Sequence, residues 1–215
     1  MDTNDFFKRQ LPHYQPSSAT YFVTFRLADT LPAEVIQRLR ENREAELRHV
    51  GQDAILSYNV HKKYFARFDQ FLDHATCGPH WLANETIAKI VADTLHSWDG
   101  KKYELICYCI MSNHVHVVFS TDQEIHVAQV KNLRYTLSPI MHSIKRLSAR
   151  KANKVLYRSG QFWQHESYDH VVRKGEELLR VVSYVINNPV KAGTTDDWKK
   201  WKWSYVQKKL LDCFN

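Results

Sequence analysis

Two histidines one residue apart, His114 and His116, stand in an apolar run with Val115 between them. The run begins at Tyr103, passes a Ser112-Asn113 break and continues to Phe119. Side chains two apart on a strand point to one face. His114 and His116 are therefore expected side by side, with Val115 buried behind them. Two neighbouring imidazoles can share one metal ion. They can also be two ordinary histidines on a half-solvated strand, and the pair alone does not decide between these readings.

A second segment, Glu176 to Gly193, offers further chemistry. Apolar residues at 178, 179, 181, 182, 185 and 186 fit a helical stripe. Glu176 and Glu177 stand where carboxylates favour a helix start. Pro189 is expected to stop the helix and to push Asn188 away from the α region. Tyr184 and Asn188 are four apart, so a phenol and an amide oxygen are presented near one face. A packed aromatic beside a capping asparagine is the alternative. A phenol ionises near pH 10 and is a weak nucleophile at neutral pH.

The ordered set resembles the single-tyrosine HUH transposases, in particular their REP-associated tyrosine transposase branch, related to the IS200/IS605 group. The resemblance rests on His114-Val115-His116 and on Tyr184 through Asn188-Pro189-Val190-Lys191-Ala192-Gly193. It also rests on Thr20 to Arg26, Met111-Ser112-Asn113, Gly160 to Gln164 and Tyr168 to Arg173. Trp201-Lys202-Trp203-Ser204-Tyr205 matches the family's ending, with tyrosine for the second serine. The likeness runs from about residue 18 to about 206; the stretch from about 29 to 100 is less family-typical.

The resemblance implies an α+β fold: a ferredoxin-like or RRM-like antiparallel sheet with helices on one face, the histidine strand central and the tyrosine helix beside it. It implies a single catalytic domain over 1–215 with an insertion within 29–100. It further implies His114, His116 and Asn188 as ligands of Mg²⁺ or Mn²⁺, and Tyr184 as the nucleophile that leaves a 5′-phosphotyrosine and a free 3′-OH. The implied substrate is single-stranded DNA carrying REP-like hairpins, acted on by a monomer or homodimer in a bacterial cytoplasm at the nucleoid. Tyr168, in Tyr-Asp-His, is the second candidate nucleophile. Lys191 could neutralise a phosphate. Lys145, Arg146, Arg150, Lys151 and Lys154 make a basic helix face able to track a DNA backbone or simply to be solvated. Phe162, Trp163, His170, Tyr21 and Trp81 could touch bases or pack in the core. Two rivals from other classes stay open: an RRM-like nucleic-acid-binding regulator without catalysis, and a small zinc hydrolase. The latter lacks a carboxylate ligand and general base near the motif.

Composition fits the same reading. The formal charge is +7 and the sequence pI about 9.2, which suits a polyanionic partner. The four cysteines show no Cys-x-x-Cys spacing, and Cys107 and Cys109 are expected as buried free thiols in a reducing compartment. No leader or long apolar span is evident, so no membrane role is expected. At 215 residues a single domain is the default.

The elements expected around the site follow from patterning. Residues 1–18 look irregular, with Pro12 and Pro16. Tyr21–Leu27 alternates as a strand. A helix should open at Leu31–Glu34 and run through Leu47. Residues 50–80 are ambiguous, with a short helix over 64–72. Asn84 should cap a helix to Trp98, and Asp99-Gly100 should turn into strands 103–111 and 114–120. Residues 127–147 look helical, interrupted by Pro139.

Overall fold

In the computed structural model, residues 6–8, 12–14, 16, 18–121 and 136–214 are described. Contacts divide the chain into two compact units, residues 1–28 with 81–215, and residues 29–80.

The first unit opens with β1 (Phe6–Lys8) and β2 (Pro12–Tyr14), paired antiparallel, where irregular chain was expected. Next is β3 (Thr20–Arg26). The second unit holds α1 (Ala33–Val50) and α2 (Ala54–Asp73). The first unit then resumes with α3 (Glu85–Ser97), β4 (Glu104–Ile110), β5 (His114–Ser120), α4 (Leu137–Val155) and β6 (Tyr168–Val172). It ends with α5 (Glu176–Ile186), the single turn α6 (Asn188–Lys191), β7 (Ser204–Val206) and the short α7 (Lys208–Leu211).

The sheet is five-stranded and antiparallel, in the order β6-β3-β5-β4-β7, so the fold is α+β as expected. The histidine strand β5 is central, between β3 and β4. Alternation assigns the two faces. Tyr21, Val23 and Phe25 of β3 and Val115, Val117 and Phe119 of β5 enter one core. Ile87, Ala88, Val91 and Leu95 of α3 and Ile140, Met141 and Ile144 of α4 complete it. Phe22, Thr24, His114 and His116 point the other way. That second face is not open: α5 packs across β4, β5, β6 and β7. The sheet thus carries helices on both faces, not one, which explains why every residue of β3 and β5 is buried.

Several boundaries have local causes. Asn84 accepts the Thr86 and Ile87 amides at 2.9 and 3.4 Å and starts α3, as its sequence suggests. Tyr103, fully buried, donates its hydroxyl to the Leu95 carbonyl at 2.6 Å and ties the end of α3 to the approach of β4. Pro139 does not interrupt α4; it lies in the first turn, where a missing amide costs nothing, and the helix runs on to Val155. Residues 127–135 of the expected helix lie outside the described residues. The cysteines behave as expected: Cys107 and Cys109 are free and fully buried, and desolvation pushes the Cys107 thiol well up.

Within the second unit, α1 and α2 pack on each other as a helical hairpin. Gly51 ends α1 at φ +60°, and Asp53 caps α2 by accepting the Ile55 and Leu56 amides, each at 2.9 Å. The Arg43 guanidinium lies 4.7 Å above the Tyr64 ring, and Arg67 pairs with Glu46 at 2.9 Å. Gly78 (φ +84°) cannot be replaced: a Cβ there would sit 2.5 Å from the Asp29 carbonyl oxygen. The helix is twenty residues long where only 64–72 was expected.

Candidate active site

The centre of the second sheet face is a histidine pair with its ring nitrogens sorted. Nε2 of His114 and Nε2 of His116 are 3.0 Å apart. The opposite ring atoms are anchored. His114 Nδ1 lies 2.6 Å from Asn113 Oδ1, and His116 Nδ1 lies 2.7 Å from Thr24 Oγ1. An amide oxygen only accepts, so His114 carries its proton on Nδ1 and turns a lone pair from Nε2 towards His116. Thr24 is a donor and an acceptor, so it serves either tautomer of His116. Anchoring the far nitrogen in this way is what orients a metal-binding imidazole. The pair can hold a metal ion, and its separation allows two metal–nitrogen bonds of about 2.0–2.1 Å to meet on one ion. Both rings are fully buried.

Why the sequence builds this is visible in register. Thr24 faces His116 across β3 and β5, and Arg26 faces His114. Cys109 faces His116 from β4. Arg26 is 7 % exposed, and its guanidinium donates to the Leu27 carbonyl at 3.4 Å.

The tyrosine helix reaches the pair from above. The Tyr184 ring is 5.9 Å from the His116 ring, edge to face. Phe22 joins the parts: its ring is 5.8 Å from His116, 6.0 Å from Tyr184 and 6.1 Å from Tyr168. Tyr184 therefore touches the histidine itself, while Tyr168 reaches Phe22 from β6. Lys191 is exposed, with its ammonium 5.4 Å over the Tyr184 ring. Asn188 is fully buried and opens α6. The helix breaks one residue earlier than expected, at Asn187, and the chain re-enters a helical turn at Asn188-Pro189, where proline is tolerated.

His170 and Glu177 tie this helix to the sheet. His170 on β6 lies 3.1 Å from Glu177 Oε1, and Glu177 Oε2 accepts the Arg173 amide at 3.2 Å. Burial pushes the Glu177 carboxyl up. The His170 hydrogen bond, the Arg173 amide and the Coulombic pull of these two residues outweigh it and hold the carboxyl below its ordinary value.

The basic residues of α4 are elsewhere, on a helix packed against the opposite sheet face. Lys145 is partly committed to structure, donating to the Gln164 and His165 carbonyls at 2.8 and 3.0 Å. Arg146, Arg150, Lys151 and Lys154 are exposed. Phe162, Trp163 and Tyr21 are core residues, and Trp163 donates its indole N–H to Ser148 at 2.9 Å. Trp81 stacks on Phe162 at 5.4 Å and carries Arg158 on its ring. The residues that sequence reasoning left without a role are Thr24, Asn113, Phe22 and Arg26. Period-two spacing through 22, 24 and 26 places three of them on the histidine face.

No family model matches the chain. A Haemophilus influenzae protein named REP-associated tyrosine transposase is 25% identical over 107 residues, which are 47% of this chain and 58% of that protein. Both comparisons bear out the resemblance to the REP-associated tyrosine transposases. The second is a solved structure of a REP-associated tyrosine transposase bound to a REP hairpin. It matches with a TM-score of 0.53 and 13% identity, over 92% of this chain and 80% of that one. The likeness to it establishes the fold. The chain thus spans rather more than half the length of its curated relative. Among the described residues no helix is long and apolar enough to cross a membrane.

Proposed function

We propose that this chain is a metal-dependent endonuclease and strand transferase for single-stranded DNA that cuts beside hairpins through a 5′-phosphotyrosine. The observation that carries the reading is the convergence of two Nε2 atoms, each ring anchored at its other nitrogen, with the Tyr184 ring against one of them. A bare structural histidine pair has no need of that sorting.

In this reading Tyr184 Oη attacks phosphorus, and the bond to the 3′-oxygen breaks, leaving a free 3′-OH and the DNA 5′-phosphate on the tyrosine. One phosphoester replaces another, so rejoining by a second 3′-OH needs no ATP. His114, His116 and Asn188 would hold Mg²⁺ or Mn²⁺, and the bound ion would withdraw charge from the phosphate. Lys191 offsets phosphate charge beside the phenol. Arg146, Arg150, Lys151 and Lys154, with Lys145 in a minor part, attract the DNA backbone. Residues 29–80 are an insertion into a single catalytic domain. The bacterial relative's name and the hairpin bound by the solved neighbour support the substrate class.

The test uses a labelled hairpin with single-stranded flanks, its linear strand and its perfect duplex, each with Mn²⁺ or with EDTA. Denaturing gels should show a covalent adduct on the hairpin substrate, metal-dependent, mapping to Tyr184 by mass spectrometry. Faster cutting of duplex, or cutting without adduct, sinks the reading; hairpin binding with no cutting under any metal favours a regulator.

A further inference from the structure

Tyr157 is the one described large apolar side chain lying wholly in solvent, 99% exposed. It follows the C-cap of α4, and its backbone is left-handed at φ +49°. That position normally holds glycine or asparagine, because a bulky side chain is strained there. The Tyr157 amide bonds the Lys154 carbonyl at 3.3 Å, a turn any residue could close. Neither local conformation nor packing accounts for a tyrosine at this point.

Its surroundings are rigid and positive. Arg158, next in sequence, lies 4.0 Å over the Trp81 ring and donates to Asn153 Oδ1 at 2.6 Å and to the Gln161 carbonyl at 3.1 Å. The turn is thereby fixed to the fold. Arg146, Arg150 and Lys154 repeat every four residues along one side of α4, about 6 Å apart per step. Lys151 flanks them. Among the described residues none of the four enters an ion pair. Lys154 has a helix C-terminus to complement; Arg146 and Arg150, mid-helix, have no such reason to be there.

We propose that Tyr157 is a stacking platform for an unpaired base of a DNA strand whose phosphates run along the Arg146, Arg150 and Lys154 side of α4. Stacking on an aromatic ring is tolerant of base identity, and a row of cations tracks the backbone. The proposal rests on the single-stranded DNA reading above and adds to it a base-holding residue on the sheet side opposite the histidines.

The experiment measures equilibrium binding by fluorescence anisotropy in a Tyr184→Phe background, so that no adduct forms. Probes are a hairpin with single-stranded flanks and a perfect duplex of equal length. Tyr157→Gly should weaken the flanked hairpin about tenfold and leave duplex affinity unchanged. Tyr157→Phe should stay within about twofold of the parent. Arg146→Gln with Arg150→Gln should lower the slope of log affinity against log salt, whereas Tyr157→Gly should leave that slope alone. Glycine relieves the left-handed strain, so Tyr157→Gly should melt no lower than its parent. Equal affinity of Tyr157→Gly for the flanked hairpin overturns the proposal. So does an equal loss on duplex, a lower Tm, or a change in oligomeric mass in place of a change in DNA affinity. A parent that binds neither probe overturns the DNA reading itself, which is a separate failure.

Discussion

Replacing Thr24 by valine tests the histidine geometry without touching a proposed ligand. Thr24 is 4% exposed, and its hydroxyl is 2.7 Å from Nδ1 of the fully buried His116. Valine keeps the branched shape and removes the hydroxyl. A buried ring nitrogen then loses this hydrogen bond, at a cost of about 1–3 kcal/mol in folding stability. The effect on metal should be larger than packing alone would give. Holding Nε2 towards a bound ion requires a proton on Nδ1 with an acceptor to take it, and the Thr24 hydroxyl stands at that nitrogen. Loss of such an outer partner lowers metal affinity about 10- to 100-fold, or about 1.4–2.8 kcal/mol. The assay is the Mn²⁺ concentration for half-maximal adduct formation on the hairpin substrate, alongside urea unfolding of the same protein. Thr24→Val should shift the Mn²⁺ midpoint at least tenfold, with the rate recovering at saturating Mn²⁺. Thr24→Ser, which keeps the oxygen, should shift it less than about threefold. A Thr24→Val protein that loses stability but keeps the parental Mn²⁺ midpoint refutes the idea that Thr24 orients a ligand.

Three further outcomes are expected. Tyr184→Phe should abolish the denaturation-resistant DNA adduct, while Tyr168→Phe should retain much of it; adduct mapped to Tyr168 reverses the assignment. His116→Ala, or exhaustive chelation of the parent, should stop cleavage but leave hairpin binding partly intact, as seen side by side on denaturing and native gels. Glu177 and Glu104 are both held below the ordinary glutamate value, Glu104 chiefly by Lys209 at 2.6 Å and Gln207 at 2.8 Å. A lowered folded-state value means stability present above the ordinary value and lost as pH falls through the lowered one. Unfolding midpoints in urea should therefore drop below about pH 4.5, and Glu177→Gln should flatten that drop while costing stability at pH 7.

The histidine strand was legible because period two is unambiguous when both neighbours are apolar. Its central place in the sheet was legible only through the resemblance. That α5 would cover the histidine face was not: the burial of β3 and β5 on both sides reads in sequence as a plain apolar run, and nothing in a run says which side is which. The residues 50–80 failed for a different reason. The start signal, Asp53 after Gly51, is short and common, and the apolar residues of α2 spread around the helix, including Ile55, 74% exposed. Pro139 misled because proline marks a helix interior break or a first turn equally well, and the capping residue ahead of it, Thr136, makes no side-chain cap. Thr24 and Asn113 stand within the segments that carry the resemblance, yet their jobs depend on cross-strand register and on a turn, neither of which spacing alone supplies.

The second sheet face poses a cost that α5 resolves. Two imidazoles, a threonine and a guanidinium on one sheet surface would ordinarily stay in water, since burying polar groups without partners is unfavourable. Covered by α5, they are buried, and each histidine's Nδ1 has a partner that meets that cost. Val182, Val185 and Ile186 give the helix an apolar reason to dock. Tyr184 is carried on the same helix, so the act of docking that dries the histidines also delivers the phenol to His116. The His170–Glu177 contact at the front of α5 then has a consequence beyond stability. It lies seven residues, two helical turns, before Tyr184, and it fixes the helix to β6 rather than to the histidine strand. Loosening it should move the Tyr184 phenol while leaving the anchored imidazoles in place.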